Sequence, residues 1–226
     1  MQIGRNLQIR SANFYVNYNM KKIICLLILS FTITASVFAS AGHKSSSKVI
    51  VDTATFATGC FWCTEAKFKQ LKGVKNVVSG FTGGHVANPT YEQVSTGNTG
   101  HAEACNIYYD PSQITYDELI AAFFVAHDPT QLNRQGNDVG TQYRSAIFYH
   151  NKAQKQKAEY YISKLNAEKA YKNKIVTQVM PYGAFYKAEG YHQDFYSKNP
   201  NNQYCKYVIQ PELEKFKKVF KDKLKK

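Results

Sequence analysis

Residues 59–65 read Gly-Cys-Phe-Trp-Cys-Thr-Glu, placing two thiols three residues apart around two large aromatic rings. A strand-like run (Val49 to Val51, then Thr53 to Phe56) ends at Gly59, and helix-compatible sequence from Thr64 to Leu71 follows at once. Cys60 is therefore expected at a helix N-terminus, where free N–H groups and the macrodipole favour a thiolate over a thiol. A reactive sulfur beside an apolar wall implies a substrate with a small apolar group next to its reacting atom. The competing reading is two buried structural cysteines in a core turn, since a free cysteine is often simply a small hydrophobe.

Glu103 is the second candidate. Residues Ala102–Tyr109 alternate so that Glu103, Cys105, Ile107 and Tyr109 share one strand face. A carboxyl on that core-facing side is desolvated, which raises its pKa and makes it a proton donor near neutrality. A salt-bridged glutamate at a strand end fits the same position. The polar stretch Asn133–Ser145 is dense in hydrogen-bonding groups, and long polar loops often carry function. In it, Asp138 and Tyr143 are candidates to orient a polar ligand; an Ω-loop satisfied by its own side chains is the alternative. His101 and Glu103 form H-x-E, which with Cys60 and Cys63 supplies the ingredients of a zinc deaminase. The order is reversed relative to that signature and no second ligand pair is spaced for a structural zinc, so no metal is expected.

The elements that must position these residues follow from periodicity. Strands are expected near residues 49–56, Val74–Phe81, Ala102–Tyr109, Tyr143–Tyr149 and Lys174–Met180. Between them lie the helix after Cys60, a short helix containing Tyr91 and Val94, and a helix opened by the Thr115–Glu118 capping box. The apolar stripe of the last is Leu119, Ile120, Phe123 and Phe124. A long polar helix at Lys152–Lys169 and a final one from about Pro211 complete the set. The order β-α-β-β-α-β with extra pieces suits an α+β two-layer sandwich of ferredoxin-like kind with an irregular C-terminal extension.

The N-terminus carries a different signal. From Met20 the chain reads Met-Lys-Lys, an apolar run from Ile23 to Ile33, then small residues ending at Val37-Phe38-Ala39. That is the pattern of a secretory signal peptide, too short in its apolar part to span a membrane. Residues 1–39 are expected to be a leader starting at Met20, with the positions upstream untranslated, and 40–226 a single catalytic domain, exported to the periplasm or secreted. The leader holds four Lys/Arg and no acid, so the formal charge falls from +13 to +9 on its removal. Seven lysines lie within residues 215–226, a run that reads as a solvated helix face and not as a nucleic-acid site. Four cysteines remain: Cys60, Cys63, Cys105 and Cys205. A single CxxC in a domain able to build its own core points to redox chemistry more than to a disulfide scaffold.

Six spaced motifs then fall in order: Gly59-Cys60-Phe61-Trp62, Asn88-Pro89-Thr90-Tyr91, Thr99-Gly100-His101-Ala102-Glu103, His127-Asp128-Pro129-Thr130, residues 134–145, and Tyr191-His192-Gln193-Asp194-Phe195-Tyr196. Over roughly residues 50–211 the chain closely resembles the A-type peptide-methionine sulfoxide reductases, specific for the S epimer. The resemblance implies that Cys60 attacks the sulfoxide sulfur and that Phe61 and Trp62 hold the S-methyl group. It implies that Glu103 protonates the sulfoxide oxygen, that Tyr91 and Tyr143 bind that oxygen, and that Asp138 supports the site. It also implies oxidised proteins or peptides as substrates, a monomer, an external dithiol such as thioredoxin as reductant, and no metal, flavin, nucleotide, nucleic acid or membrane anchor. Many relatives resolve the sulfenic acid with a cysteine in a Gly-Tyr-Cys context. Here Cys63 completes a CxxC, while Cys205 stands in Gln203-Tyr204-Cys205 on a segment expected to swing inward; both are candidate resolving residues, and Cys105 is expected in the core. A general thiol–disulfide oxidoreductase using Cys60 and Cys63 is the alternative function.

With the leader removed, N-terminal sequencing of protein from native cells starts at Ser40 or Gly42. A chain found in the cytosol with Met1 intact contradicts export.

Overall fold

Phe56 marks one face of the central sheet and its neighbour Ala57 the other. In the computed structural model, which describes residues 50–226, both are fully buried; the expected leader lies outside the described residues. In chain order the elements are β1 (Asp52–Thr58), α1 (Phe61–Phe68), β2 (Val74–Thr82), α2 (Tyr91–Ser95), β3 (Ala102–Tyr109) and α3 (Tyr116–Ala126). Two-residue strands β4 (Arg134–Gln135) and β5 (Asp138–Val139) follow, then β6 (Ser145–Tyr149) and α4 (Lys152–Ala167). The C-terminal part holds β7 (Gln178–Pro181), β8 (Phe185–Lys187), α5 (Phe195–Lys198), a π-helical turn at Cys205–Ile209, and α6 (Gln210–Val219). The result is a mixed α/β fold.

Six strands form the main sheet in the order β7-β6-β1-β3-β2-β8, and β4 pairs with β5 alone. All neighbours in the main sheet are antiparallel except β6 and β7. On the helix side the Phe56 ring lies 5.7 Å from Phe68 of α1 and 5.1 Å from Phe123 of α3. The expected α3 stripe, Leu119, Ile120, Phe123 and Phe124, is buried there. Its capping box is in place: Thr115 accepts from the Glu118 N–H, and Glu118 accepts from the Thr115 N–H at 2.8 Å. The opposite face presents small residues, Ala57, Ala102, Ala104 and Ala146, around Phe148, and Met180, Tyr182 and Phe185 pack onto them. The C-terminal extension thus covers the second side of the sheet.

Several boundaries shift for local reasons. The strand expected from Tyr143 starts at Ser145, because Thr141–Tyr143 form a 3-10 turn. The strand expected over Lys174–Met180 shortens to β7, where pairing with β6 begins at Gln178. The polar loop after Asp128 contains the β4–β5 hairpin. The segment carrying Cys205 is not an open tail. Pro211 brings no N–H, so the turn before it closes on Gln210, whose N–H reaches Cys205 O five residues back. Helix α6 then docks on α1 through the buried Lys67, which donates to Glu212 and to Ala126 O, both at 2.7 Å. Val51–Lys226 forms one compact unit. Among the described residues no helix is long and apolar enough to cross a membrane.

Candidate active site

The turn from β1 into α1 sets the site. Gly59 sits at φ +95°, and a Cβ there would lie 2.6 Å from Gln135 Cβ, so only glycine lets the β4–β5 hairpin close against the turn. Cys60 occupies the N-cap position of α1, and its carbonyl accepts from Cys63 N at 3.1 Å and Thr64 N at 3.2 Å. Its sulfur caps nothing. The N–H of the first helical residue, Phe61, donates instead to Glu103 Oε2 at 3.0 Å.

The electrostatics here differ from those expected from sequence. Cys60 was expected as a thiolate; burial, the Cys63 thiol and the nearby Glu103 together push its pKa well above the ordinary thiol value. The resting sulfur is a thiol, because burial excludes the water that would solvate a thiolate. Glu103 itself is 2% exposed. Burial pushes its pKa up to about 8, outweighing the Phe61 N–H that pulls it down, and Asp138 adds to the rise. It is a neutral acid at pH 7, as the alternating strand face implied. A carboxylic acid accepts at one oxygen and donates from the other, so Glu103 can hold Phe61 and still protonate a ligand.

The aromatic groups gather over the same point. The Phe61 ring packs on Trp62, Phe81, Tyr91 and His192, with centroids 5.2–6.3 Å away. Tyr91 is set by α2, whose Thr90–Gln93 capping box is complete; burial first, then Glu103, pushes its pKa up to about 12. Tyr143 ends the 3-10 turn, and burial together with Glu103, Tyr91, Cys60 and Asp138 pushes it up as well. Both hydroxyls therefore stay protonated. Asp138 projects from the hairpin and accepts from Tyr204 OH at 2.5 Å. That hydroxyl also stands 3.9 Å from Cys63 Sγ. Cys205 is buried on the π-helical turn, and its pKa is raised by burial and then by Cys63. All the sequence-predicted site residues thus lie around one point, with both candidate resolving cysteines beside it and all four described cysteines reduced. Cys105 is in the core, 3.5 Å from Phe61 O.

A cavity of about 290 Å³ opens on the sulfur pair, lined among others by Cys60, Cys63, Asp138, Tyr204, Tyr207 and Lys215. Among the described residues no group of three His, Cys, Asp or Glu side chains is placed to hold a metal ion. His101 uses both ring nitrogens on backbone, at Gly84 N and Val86 O. Three contributors had no assigned role in the sequence: His192, whose Nδ1 accepts from Trp62 Nε1–H at 3.2 Å; Phe195, stacked on Trp62; and Tyr204. The only signals were the aromatic run near Tyr191 and the adjacency of Tyr204 to Cys205.

Residues 52–224 match the family model for peptide methionine sulfoxide reductase. The chain belongs to the peptide methionine sulfoxide reductase family. It is 54% identical over 175 residues to peptide methionine sulfoxide reductase MsrA of Saccharolobus solfataricus, covering 77% of this chain and 98% of that one. The Thermus thermophilus MsrA is 50% identical over 174 residues, with the same coverage of both chains. Among solved structures, methionine sulfoxide reductase A of Corynebacterium diphtheriae superposes with a TM-score of 0.62 at 40% identity, covering 69% of this chain and 78% of that one. Mxr1 of Saccharomyces cerevisiae in reduced form gives 0.64 at 35%, covering 69% and 89%. The reductase family thus spans the unit that carries every site residue above.

The buried acid leaves a mark on stability. In the unfolded chain a glutamate titrates near 4.3, whereas in the fold Glu103 holds its proton to about 8. Its contribution to stability is full below about 4.3 and is lost as the pH rises toward about 8. The stability of Glu103→Gln minus that of the wild type should therefore grow from about pH 5 to about pH 8 and level off above. Chemical denaturation across that range checks it; a difference that shrinks with pH contradicts the raised pKa.

Proposed function

We propose that the protein reduces methionine-S-sulfoxide, in oxidised proteins and peptides and as the free amino acid, to methionine. The observation that carries this reading is a neutral carboxylic acid, Glu103, buried beside a cysteine and an aromatic wall. Sulfoxide reduction needs a soft nucleophile, an acid for the departing oxygen and an apolar slot for the methyl group. As Glu103 gives its proton to the sulfoxide oxygen, its carboxylate takes the Cys60 thiol proton and Cys60 Sγ attacks the sulfoxide sulfur, with the Tyr91 and Tyr143 hydroxyls donating to that oxygen. Phe61 and Trp62 receive the methyl group, and Asp138 orders Tyr204 and the hairpin. The S–O bond breaks, methionine leaves, and the oxygen ends on Cys60 as a sulfenic acid.

Cys63 then attacks Cys60 Sγ and releases water, leaving a Cys60–Cys63 disulfide. Reach supports Cys63 first, since the two residues share one helical turn. Cys205, buried beside Cys63, exchanges onto that disulfide and passes it outward to a thioredoxin-like dithiol, which is oxidised as the enzyme returns to its reduced state. A general thiol–disulfide oxidoreductase would have no use for Glu103 or for a bulky Phe61-Trp62 pair. The leader-like residues 20–39 support export, and the enzyme works as a monomer. The strand order β6-β1-β3-β2, with α1 and α3 as crossovers, supports reading the centre of the fold as ferredoxin-like.

An assay of residues 40–226 on both sulfoxide epimers with dithiothreitol tests the reading. The S epimer should be reduced and the R epimer left; Cys60→Ser should abolish turnover with the fold intact. Glu103→Ala should slow reduction about a hundredfold or more, and Glu103→Gln less. Mass mapping after one turnover of Cys205→Ser should find a Cys60–Cys63 disulfide. Reduction of the R epimer alone overturns the function, and a Cys60–Cys205 bond formed at an unchanged rate in Cys63→Ser overturns the relay.

A further inference from the structure

Glu65 is a buried carboxylate on α1 that the chemistry above does not use. It lies three residues after Trp62, so the two side chains share one face of the helix. Both of its oxygens accept from the Asp194 N–H, at 3.1 and 2.9 Å. Lys69, one turn on, pairs with Glu65 at 3.1 Å and also with the Asp194 carboxylate. Glu65 is 2% exposed, so an Asp194 N–H left without it would have little access to water.

Asp194 needs this partner. It sits at φ 59°, ψ 30°, in the left-handed region that a side chain disfavours. Such a residue stays there only when its surroundings over-determine it. The preceding Gln193 is pinned to the sheet edge, accepting from Ser79 N at 3.1 Å and donating to Ser79 O at 2.9 Å. On either side of these two anchors, His192 and Phe195 are delivered to one target. His192 accepts from the Trp62 indole, and the Phe195 ring lies flat on it, centroids 3.7 Å apart and planes within 7°. Glu65 meets none of the reacting groups, yet it holds the turn that sets the indole.

We propose that Glu65 is a positioning residue for sulfoxide reduction: by holding the Asp194 N–H it seats His192 and Phe195 on Trp62 and so fixes the wall that receives the substrate methyl group. The proposal rests on the function given above for Trp62. It accounts for a carboxylate at this position, because an N–H and an ammonium must both be accepted there and glutamine adds donors that face Lys69.

The chain has a single tryptophan, so its emission and its quenching by acrylamide report on Trp62 alone, without substrate. Glu65→Ala should red-shift the emission, raise quenching, and raise KM for the S epimer about tenfold with kcat within about twofold. Glu65→Gln should fall between Ala and wild type. Phe195→Leu should reproduce the effect, and adding Glu65→Gln to it should change KM little further. If Glu65→Ala does not fold, the Gln and Phe195→Leu pair carries the test. Wild-type emission and KM in a folded Glu65→Ala, or additive effects of Glu65→Gln and Phe195→Leu, overturn the proposal. A wild-type enzyme inactive on the S epimer would overturn the function instead, while the Trp62 quenching would still report whether Glu65 sets the indole.

Discussion

The bond from the Phe61 N–H to Glu103 is the contact on which the site depends. It takes the first free donor of α1, ties β3 to the start of that helix, and brings a carboxyl into a place without water. Burial then outweighs the bond, so both the acid and the Cys60 thiol hold their protons at rest. A site charged in advance would need a counterion in the core, and no ammonium or guanidinium is among the groups acting on Glu103. Holding both groups neutral avoids that cost. Charge then develops only with a sulfoxide in place, where the proton has an oxygen to go to.

Around this pair the chain uses two kinds of support. The sheet and α1 are regular, and they fix Cys60, Phe61, Trp62 and Glu103 on rigid elements. The C-terminal segment is irregular, and it closes the site with side chains: His192 and Phe195 on the indole, Tyr204 between Asp138 and Cys63, and Cys205 behind them. The buried Lys67 clamps α6 onto the helix that carries both CxxC sulfurs. The helix that carries both CxxC sulfurs is therefore tied to the segment that bears Cys205.

What could be read from sequence was local. The alternation of β3 gave the core-facing side of Glu103, and the capping box gave the start of α3, because both signals lie within a few residues. The ionisation of Cys60 was not legible, since it turns on how completely the fold buries the sulfur, and the segments that bury it are distant in sequence. The covering of the second sheet face by Met180, Tyr182 and Phe185 was hidden for a similar reason. Strands β7 and β8 have only four and three residues, too few to show a period, and their partners are four alanines that look unremarkable in their own strands. Cys205 was expected on a mobile tail from its Asn- and Pro-containing context; the π-helical turn and the hold of α6 on α1 bury it instead.

The central claim is that Glu103 is neutral at pH 7 beside Cys60. Infrared difference spectroscopy measures this directly, comparing the wild type with Glu103→Gln in the reduced state. A protonated carboxyl band present in the wild type at pH 7, lost in the variant and fading as the pH passes about 8, is the expected result. A spectrum showing only the carboxylate bands of Glu103 at pH 7 would contradict the account.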